Sequence, residues 1–391
     1  MKHDFDQPIC RRGSGCVKWD EQDAKEAIPM WVADMDFRVA QPIIDALHKR
    51  VEHGVFGYTI VGDKYYDALC NWFARRHHWT INREWVIYTS GVVPALSAVI
   101  KALTTPGDKV LLQTPVYNCF FSSVRNNGCI VEENPLRREG LSYHMDFEDL
   151  EKKASDPQVK LLVLCNPHNP VGRVWTASEL QQLNDICMRN NVKVVADEIH
   201  CEIVMPGNRF TPFASISNKC LDNSITLNSP SKSFNTAGLQ IANIISNDAK
   251  TRAKIDRAIN INEVCDVNPL GVEGLVAAYN DSEYWIEQLC NYLHDNYIFL
   301  KEHLSSHLPE VKIISLEGTY LVWVDITALG MTSDETTKLL LDEGKVLVNS
   351  GTMYGQDAGE GFIRINIACP RSQLQEALDR MANTLNKVKN Q

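Results

Sequence analysis

Residues 160–200 have the sequence KLLVLCNPHNPVGRVWTASELQQLNDICMRNNVKVVADEIH. The stretch begins with a short apolar run at 160–165, continues with a helical pattern at 177–190 and ends with a second apolar run at 193–196. Short apolar runs bounded by turn residues are typical of buried strands, whereas apolar positions spaced three and four apart are typical of helices. The stretch therefore predicts two strands joined by a crossover helix, which is the unit of a parallel sheet.

The same alternation begins near residue 85 and extends to about residue 245. Further apolar runs at 85–88, 109–113, 224–227 and 239–245 predict strands, and residues 93–103 have a helical period. Strands that alternate with helices indicate a mostly parallel sheet that is covered by helices on both faces. The predicted fold class is therefore α/β.

The pattern changes after about residue 285. A long helix comes first, two strands are predicted at 319–325 and 361–367, and a closing helix starts at Pro370. The chain has 391 residues, which exceeds the size at which one hydrophobic core keeps growing, so we expect two domains. We predict a large domain at 46–285 and a smaller α+β domain at 286–391, with the N-terminal segment 1–45 packed against the small domain.

Composition limits the partners and the compartment. The net charge of −10 argues against nucleic acid or an anionic membrane as a partner. No apolar run approaches the ~20 residues of a membrane span, and the polar N-terminus has no apolar signal-peptide segment. The 12 cysteines are scattered, with no Cys-x-x-Cys pair. This distribution predicts reduced, buried thiols in the cytoplasm and no metal site.

Polar groups follow the predicted strands one after another. In an open parallel sheet, ligands bind at the carboxyl ends of the strands, so these groups are expected to converge there. In chain order the segments are Ser90-Gly91-Val92-Val93, Thr114-Pro115-Val116-Tyr117, Asn166-Pro167-His168-Asn169-Pro170-Val171-Gly172, Asp197-Glu198-Ile199-His200 and Ser229-Pro230-Ser231-Lys232-Ser233-Phe234.

Taken singly, each of these groups has an ordinary structural explanation. A lone lysine such as Lys232 is usually a solvated surface charge, and an aspartate after a strand commonly caps a helix or forms a turn. The joint order is more informative. Pyridoxal 5′-phosphate (PLP) requires an amine, an acidic partner for its pyridine nitrogen, a flat side chain against its ring and small donors at a helix N-terminus for its phosphate. The set therefore predicts a PLP site.

The order of these motifs resembles the fold-type I PLP enzymes of the class I/II aminotransferase superfamily, and the resemblance covers nearly the whole chain. Within the superfamily, the chain is most similar to the cystathionine β-lyase (C–S lyase) group of the MalY/PatB type. In the superfamily's aminotransferases a tyrosine more often stands where this chain has His200. The segments that carry the subgroup resemblance are Trp31-Val32-Ala33-Asp34-Met35-Asp36-Phe37, Gly91-Val92-Val93-Pro94-Ala95, residues 166–175, Asp197-Glu198-Ile199-His200, Arg364-Ile365-Asn366 and Cys369-Pro370-Arg371.

The resemblance implies a role for each cofactor-binding group. It implies a large domain with a sheet of the seven-stranded type, in which Lys232 binds PLP as a Schiff base and later acts as the general base. Asp197 is implied to keep the pyridine nitrogen protonated, and Asn169 to donate to the phenolic oxygen. The further implied contacts are ring stacking by Tyr117, proximity of His200 to the phenolic oxygen, and a phosphate cup formed by the backbone of Gly91, Val92 and Val93 with Ser229 and Ser231.

The resemblance also implies the substrate site and the assembly. Arg364 is expected to bind the substrate α-carboxylate, because its guanidinium fork matches a carboxylate bidentately, and Ala33 and Asn169 are expected beside it. Tyr58 is implied to act in catalysis by reaching the phosphate of a neighbouring subunit, so a homodimer is expected.

Three functions stay open at this point. The leading expectation is α,β-elimination from L-cystathionine or a related L-cysteine S-conjugate, which gives thiol, pyruvate and ammonia. An aminotransferase that passes the amino group to a 2-oxo acid would use the same core residues, and fold alone does not separate the two. A PLP protein with an additional regulatory, protein-binding role is the third.

Overall fold

A computed structural model describes residues 2–21, 25–263 and 266–389. The strands are β1 (Ile28–Pro29), β2 (Val86–Thr89), β3 (Lys109–Leu112), β4 (Ile130–Glu133), β5 (Arg137–Glu139), β6 (Ser142–His144), β7 (Val159–Cys165), β8 (Lys193–Asp197), β9 (Ser224–Asn228), β10 (Ala242–Ile245), β11 (Lys312–Ile313), β12 (Leu321–Asp325), β13 (Val346–Leu347), β14 (Asn349–Ser350) and β15 (Phe362–Asn366).

The α-helices surround these strands. They are α1 (Val17–Asp20), α2 (Gln41–Glu52), α3 (Asp63–His77), α4 (Val92–Leu103), α5 (Asn118–Asn126), α6 (Phe147–Ala154), α7 (Ala177–Arg189), α8 (Asn218–Asp222), α9 (Pro230–Ser233), α10 (Ala249–Asn260), α11 (Pro269–Asp281), α12 (Glu283–His307), α13 (Ser333–Asp342) and α14 (Arg371–Lys389).

The main sheet has seven strands in the order β2-β10-β9-β8-β7-β3-β4. Strands β4, β3, β7, β8 and β9 pair in parallel, whereas β10 is antiparallel to both of its neighbours, β9 and β2. The predicted α/β class and the mostly parallel sheet are therefore confirmed.

Alternate residues of the central strands face opposite sides of the sheet, as the period of two requires. Leu162 and Leu164 of β7 pack in one apolar cluster with Leu180 of α7. Leu161 and Val163 pack in another cluster, which contains residues of α4, α5 and α10. Both faces are buried, and this explains why the central strands appear in the sequence as continuous apolar runs.

Two details of the main sheet differ from the sequence prediction. The strand predicted at 239–245 begins only at Ala242, because residues 237–239 form a 3-10 turn. The edge strand β4 was missed: it contains two glutamates and Ile130 is 48% exposed, so the segment has no apolar run.

A second sheet forms in the last third of the chain, in the order β11-β12-β15-β14, with all pairs antiparallel. The long helix and the closing helix predicted around it correspond to α12 and α14. The N-terminal segment joins this region, since β1 pairs in parallel with β13 and Met30 shares an apolar core with Leu321 and Ile365. The boundaries 1–45, 46–285 and 286–391 stay a prediction.

In the described residues, no helix combines the length and apolarity that a membrane crossing needs.

Candidate active site

A cavity of about 200 Å³ lies at the carboxyl ends of β7 and β8, next to α9. Its position agrees with the rule that parallel sheets bind ligands where their strands end. Most of the site residues predicted from sequence line it. The lining consists of Ala33, Gly91, Val92, Val93, Pro94, Tyr117, Cys165, Asn169, Asp197, Ile199, His200, Ser231 and Lys232.

Lys232 provides the amine of the cavity. It lies in the short helix α9, which Ser229 caps, and its Nζ donates to the carbonyl oxygen of Ala33 at 2.6 Å. Burial lowers the pKa of the amine to about 8, against the opposing effect of the Asp34 carboxylate. The amine therefore loses its proton more readily than an ordinary lysine does, which favours nucleophilic attack and proton abstraction.

Asp197 is the last residue of β8, so the strand delivers its carboxylate directly to the cavity. The side chain is buried, and within the described residues it accepts one hydrogen bond, from the Ile199 N–H at 3.1 Å. Burial raises the pKa of this carboxyl to about 7, although the Ile199 N–H and Lys232 lower it. A cationic donor in the cavity would stabilise the charged form.

His200 follows in the turn after β8 and is also buried. Its ring packs edge-on against Tyr320, with the centroids 5.8 Å apart, and its Nδ1 has no hydrogen-bond partner among the described residues. Burial lowers the pKa of the imidazole to about 3, and the charges of Lys232 and Arg364 act in the same direction. His200 is therefore neutral at physiological pH.

Arg364 reaches the cavity from the second sheet, where it lies on β15 between Trp323 of β12 and Asn349 of β14. Its Nη1 donates to Asn169 Oδ1 at 3.2 Å and its Nη2 to the Trp31 carbonyl at 2.6 Å. The guanidinium lies 4.9 Å from the ring centroid of Tyr354. Its Nε is buried and unpartnered within the described chain, so it has a donor left for an anion.

Helix α4 starts at the cavity wall. Gly91 is its N-cap, and the first backbone bond of the helix runs from the Ala95 N–H to the Gly91 carbonyl. The N–H groups of Gly91, Val92 and Val93 precede that bond and have no intrahelical acceptor, while Pro94 has no N–H. Free N–H groups at the positive end of a helix form an anion site.

Tyr117 lies at the N-terminus of α5 and lines the same cavity. Its ring is half-buried and packs edge-on against Phe120, with centroids 5.9 Å apart. Burial, together with Cys119, raises the pKa of its hydroxyl, so the side chain presents a neutral aromatic ring to the cavity.

Three predicted site residues do not line the cavity: Ser229, Tyr58 and Arg364, the last of which contacts the lining residue Asn169. The Ser229 hydroxyl accepts from the Ser231 N–H at the N-terminus of α9 and donates to the Ile241 carbonyl at 2.7 Å, so its proton is already used. Tyr58 lies on the surface with 94% of its side chain exposed, in a segment that also exposes Val55, Phe56 and Ile60.

The sequence interpretation missed several residues of the site. Cys165 ends β7, and its thiol accepts from the Asn169 N–H at 3.4 Å. Tyr320 donates through its hydroxyl to the Ala33 carbonyl at 2.9 Å. The position of Cys165 at a strand end was a usable signal, whereas no local pattern links Tyr320 or Tyr354 to the cavity.

A second group of buried titratable side chains lies outside the cavity lining, around Glu202. Its carboxylate accepts from Trp72 Nε1 at 2.7 Å and from Arg76 Nε at 2.9 Å, and His77 Nε2 lies 2.6 Å from it. Burial opposes the charge, but His77 and Arg76 outweigh it and lower the pKa of Glu202 to about 2. Cys201 lies close enough for the three ligand types to hold a metal, but the carboxylate is already occupied by protein donors.

Known proteins are similar to this chain in sequence and fold. The family model "aminotransferase class I and II" matches residues 33–381. The chain is 42% identical to the cystathionine β-lyase PatB of Bacillus subtilis, over 97% of this chain and 99% of PatB. A PLP-bound putative aminotransferase from Clostridium difficile superposes with a TM-score of 0.96 at 42% identity, covering 98% of this chain and 100% of that one.

A third relative is the PLP-bound C–S lyase from Staphylococcus hominis, with a TM-score of 0.91 at 32% identity, covering 98% of this chain and 99% of that one. These matches confirm the fold-type I architecture. The match to the family model spans most of the chain, so this protein belongs to the aminotransferase class I and II family.

Proposed function

We propose that this chain is a PLP-dependent carbon–sulfur β-lyase that acts on L-cystathionine or a related L-cysteine S-conjugate. The observation that carries the proposal is a cavity lined by a lysine amine and a strand-end carboxylate, with an arginine bonded to its lining residue Asn169. The chain is also 42% identical to a cystathionine β-lyase over nearly its whole length. PLP-bound neighbours with the same fold support the choice of cofactor.

The residues present fit PLP. Lys232 would bind the cofactor aldehyde, and Asp197 would hold a proton on the pyridine nitrogen, which supplies the cationic partner that the buried carboxylate lacks. Tyr117 would stack on the ring. The N–H groups of Gly91, Val92 and Val93, with Ser231, would bind the phosphate, whereas the Ser229 hydroxyl is committed to Ile241 and would only hold the cap of α9.

The substrate would be oriented by Arg364. Its free Nε, together with the Nη groups that now contact Asn169 and Trp31, offers a fork for the α-carboxylate. Asn169 and the backbone of Ala33 would complete the wall around the Cα atom. These contacts would fix the orientation of the substrate and therefore which bond to Cα is aligned for cleavage.

PLP, when bound, supplies an electron sink that makes the Cα–H bond of the substrate acidic. The chain's own contribution would be the base. Lys232 would remove the Cα proton, for which a pKa close to the working pH is favourable. The electron pair would then expel the thiolate from Cβ, and the released 2-aminoacrylate would hydrolyse to pyruvate and ammonia.

The test is a product assay on purified protein loaded with PLP. With L-cystathionine or L-cysteine we expect stoichiometric thiol or sulfide, pyruvate and ammonia. The family model and the C. difficile relative are both named for aminotransfer, so the same protein is assayed with amino acids and 2-oxoglutarate. Efficient glutamate formation without pyruvate would replace the lyase proposal by the aminotransferase one.

We further propose that the working form is a homodimer in which Tyr58 completes the partner's phosphate site. The support is the exposed apolar segment around it, in which Val55, Phe56, Tyr58 and Ile60 are 62, 60, 94 and 86% exposed. Contiguous exposed apolar side chains are typical of protein interfaces. Mixing Tyr58→Phe with Lys232→Ala should restore activity, because one site per heterodimer then carries neither change. A fully active monomer would refute the proposal.

We also propose a cytoplasmic location. The support is the free thiol state of the eleven cysteines in the described ranges, six of which are buried. Fractionation of cells that express the tagged protein tests this proposal, and recovery in an extracytoplasmic fraction would contradict it.

A further inference from the structure

The segment 31–36 contributes Ala33 to the wall of the cavity. Its Ala33 carbonyl accepts from both Lys232 Nζ at 2.6 Å and the Tyr320 hydroxyl at 2.9 Å. Asn366 Nδ2 donates to the carbonyls of Val32 at 2.6 Å and Asp34 at 2.7 Å. The cavity side of this segment is therefore fixed by side chains of the site itself.

The other side of the segment is fixed by residues 11–19 of the N-terminal region. Asp36 is 1% exposed and accepts from Lys18 Nζ at 2.8 Å, Arg11 Nη1 at 2.7 Å and Trp19 Nε1 at 2.8 Å. The second Arg11 nitrogen, Nη2, lies 2.7 Å from Asp34 Oδ2. Arg11 thus bridges the two carboxylates with one rigid fork, which a lysine could not do.

Asp34 follows Ala33, so the cluster fixes a carboxylate one residue away from the carbonyl that the reactive amine contacts. Asp34 is the carboxylate that acts most strongly on Lys232, and Arg11 is its main ion-pair partner, since Lys18 Nζ is 3.7 Å from it. A buried ion pair such as Lys18 with Asp36 adds little net stability, so its retention is better explained by the geometry it fixes.

We propose that Arg11 is a positioning residue of the active site: it acts through Asp34 and Asp36 to hold the Ala33 carbonyl and the Asp34 charge against the nitrogen of Lys232. This inference rests on the proposed role of Lys232. It assigns part of the reaction geometry to an N-terminal residue that does not line the cavity.

The proposal predicts how the charge balance at Lys232 responds to substitution. Without Arg11, the Asp34 charge is less compensated and favours the protonated nitrogen, so the nitrogen keeps its proton to higher pH. Without the Asp34 carboxylate, the nitrogen of Lys232 loses its proton at lower pH. The charged or titratable groups that act on Lys232 are Asp34, Arg364, Asp197, Cys119 and His200, and of these only Asp34 pairs with Arg11.

The experiment uses the full-length protein loaded with PLP and compares Arg11→Gln, Asp34→Asn and Arg12→Gln. Arg12 is the matched control, because it also ties down the N-terminal region, through the carbonyls of Lys25 and Ala27. The readout is the pH midpoint of the visible absorption change of PLP bound to Lys232, followed by kcat and KM for cystathionine.

The midpoint is expected to rise by about one pH unit in R11Q and to fall by a similar amount in D34N, with no change in R12Q. In R11Q, kcat is expected to fall about tenfold with KM within about twofold of the wild type, because orientation and not affinity is lost. A general loss of packing would not move two midpoints in opposite directions.

Equal midpoints in R11Q and wild type, or equal shifts in R11Q and R12Q, would overturn the inference. If R11Q does not fold, D34N provides the test. An unchanged midpoint in D34N would show that the Asp34 charge does not act on Lys232, which would overturn the inference. The two proposals fail differently. Wild-type protein without the PLP absorption band contradicts the proposed function, whereas a normal band and normal pyruvate formation with unshifted variants contradict only the positioning role.

Discussion

Two clusters of buried ionisable side chains, one around Glu202 and one around Asp197 in the cavity, differ in how many hydrogen bonds the protein donates to their carboxylates. Glu202 is buried among protein donors from Trp72 and Arg76, with His77 in contact. Asp197, five residues earlier, is equally buried but accepts a single hydrogen bond, from a backbone N–H. The pKa of Glu202 is lowered to about 2, and that of Asp197 is raised to about 7.

The difference separates a structural cluster from a functional one. In the Glu202 cluster the protein itself satisfies the charge, so the group is complete without a ligand. At the cavity, the carboxylate of Asp197 and the amine of Lys232 each have one hydrogen bond within the described residues, and the Nε of Arg364 has none. Unsatisfied buried charge is unfavourable to folding, and it is typical of sites that a ligand completes.

The largest effect is expected for Lys232→Ala. Removal of the amine should abolish the yellow absorbance of the loaded protein and lower kcat for cystathionine by more than ~10³-fold, since both the cofactor link and the base are lost. The control is Lys160→Ala, an exposed lysine that contacts only the Pro157 carbonyl in the described chain. A variant that keeps the absorbance and the turnover would end the assignment of Lys232.

Glu202→Gln tests the Glu202 cluster, in which protein donors bind the buried carboxylate. It leaves Arg76 without its buried counter-charge, so the free energy of unfolding at pH 7 should fall by about 3 kcal/mol. Because the pKa of Glu202 is lowered in the folded state, its contribution is complete above pH ~4.5 and is lost as the pH falls towards 2. Denaturant titrations should therefore show the gap to wild type closing in acid.

The matched control for this cluster is Glu287→Gln, whose exposed carboxylate lies 3.7 Å from the same Arg76. An exposed pair contributes little, so this variant should unfold like the wild type. Equal losses in the two variants would contradict the special status of the Glu202 cluster.

In cofactor-free protein, Asp197→Asn should raise the free energy of unfolding, whereas Glu202→Gln should lower it. The folded-state pKa is raised, so the wild type loses stability as the pH rises from about 4 to about 7, while the neutral amide does not. At pH 8 the variant should be more stable by roughly 2–4 kcal/mol, with no gain at pH 4. Asp256→Asn, on the exposed side of α10, is the control. A variant that is less stable at pH 8 would mean that Asp197 is satisfied by the protein.

The smallest effect is expected for Arg364→Lys. The lysine keeps the charge but not the fork, so KM for cystathionine should rise by about tenfold to a hundredfold while the PLP absorbance is retained. Arg380→Lys, an exposed pair with Glu376 in α14, controls for the change of residue type. An unchanged KM would remove Arg364 from the substrate site.

Much of the main sheet could be predicted from local patterns. The strands β7 and β8 are apolar because both of their faces are buried, and α7 starts at a capping box formed by Thr176 and Glu179. The edge strand β4 and the antiparallel direction of β10 could not be predicted, because the first lacks an apolar run and the second depends on its neighbours.

The same division applies to the site. The polar groups at the strand ends could be predicted from local sequence, because residues that closely follow a strand lie at the sheet edge: Asn169, Asp197 and Lys232 all line the cavity. The contact of Arg364 with Asn169, 195 positions away, and that of the Ala33 carbonyl with Lys232, 199 positions away, form only in the folded chain. The shifted pKa values also depend on folding, because burial is a property of the packed chain, whereas hydrophobic period and capping are properties of neighbouring residues.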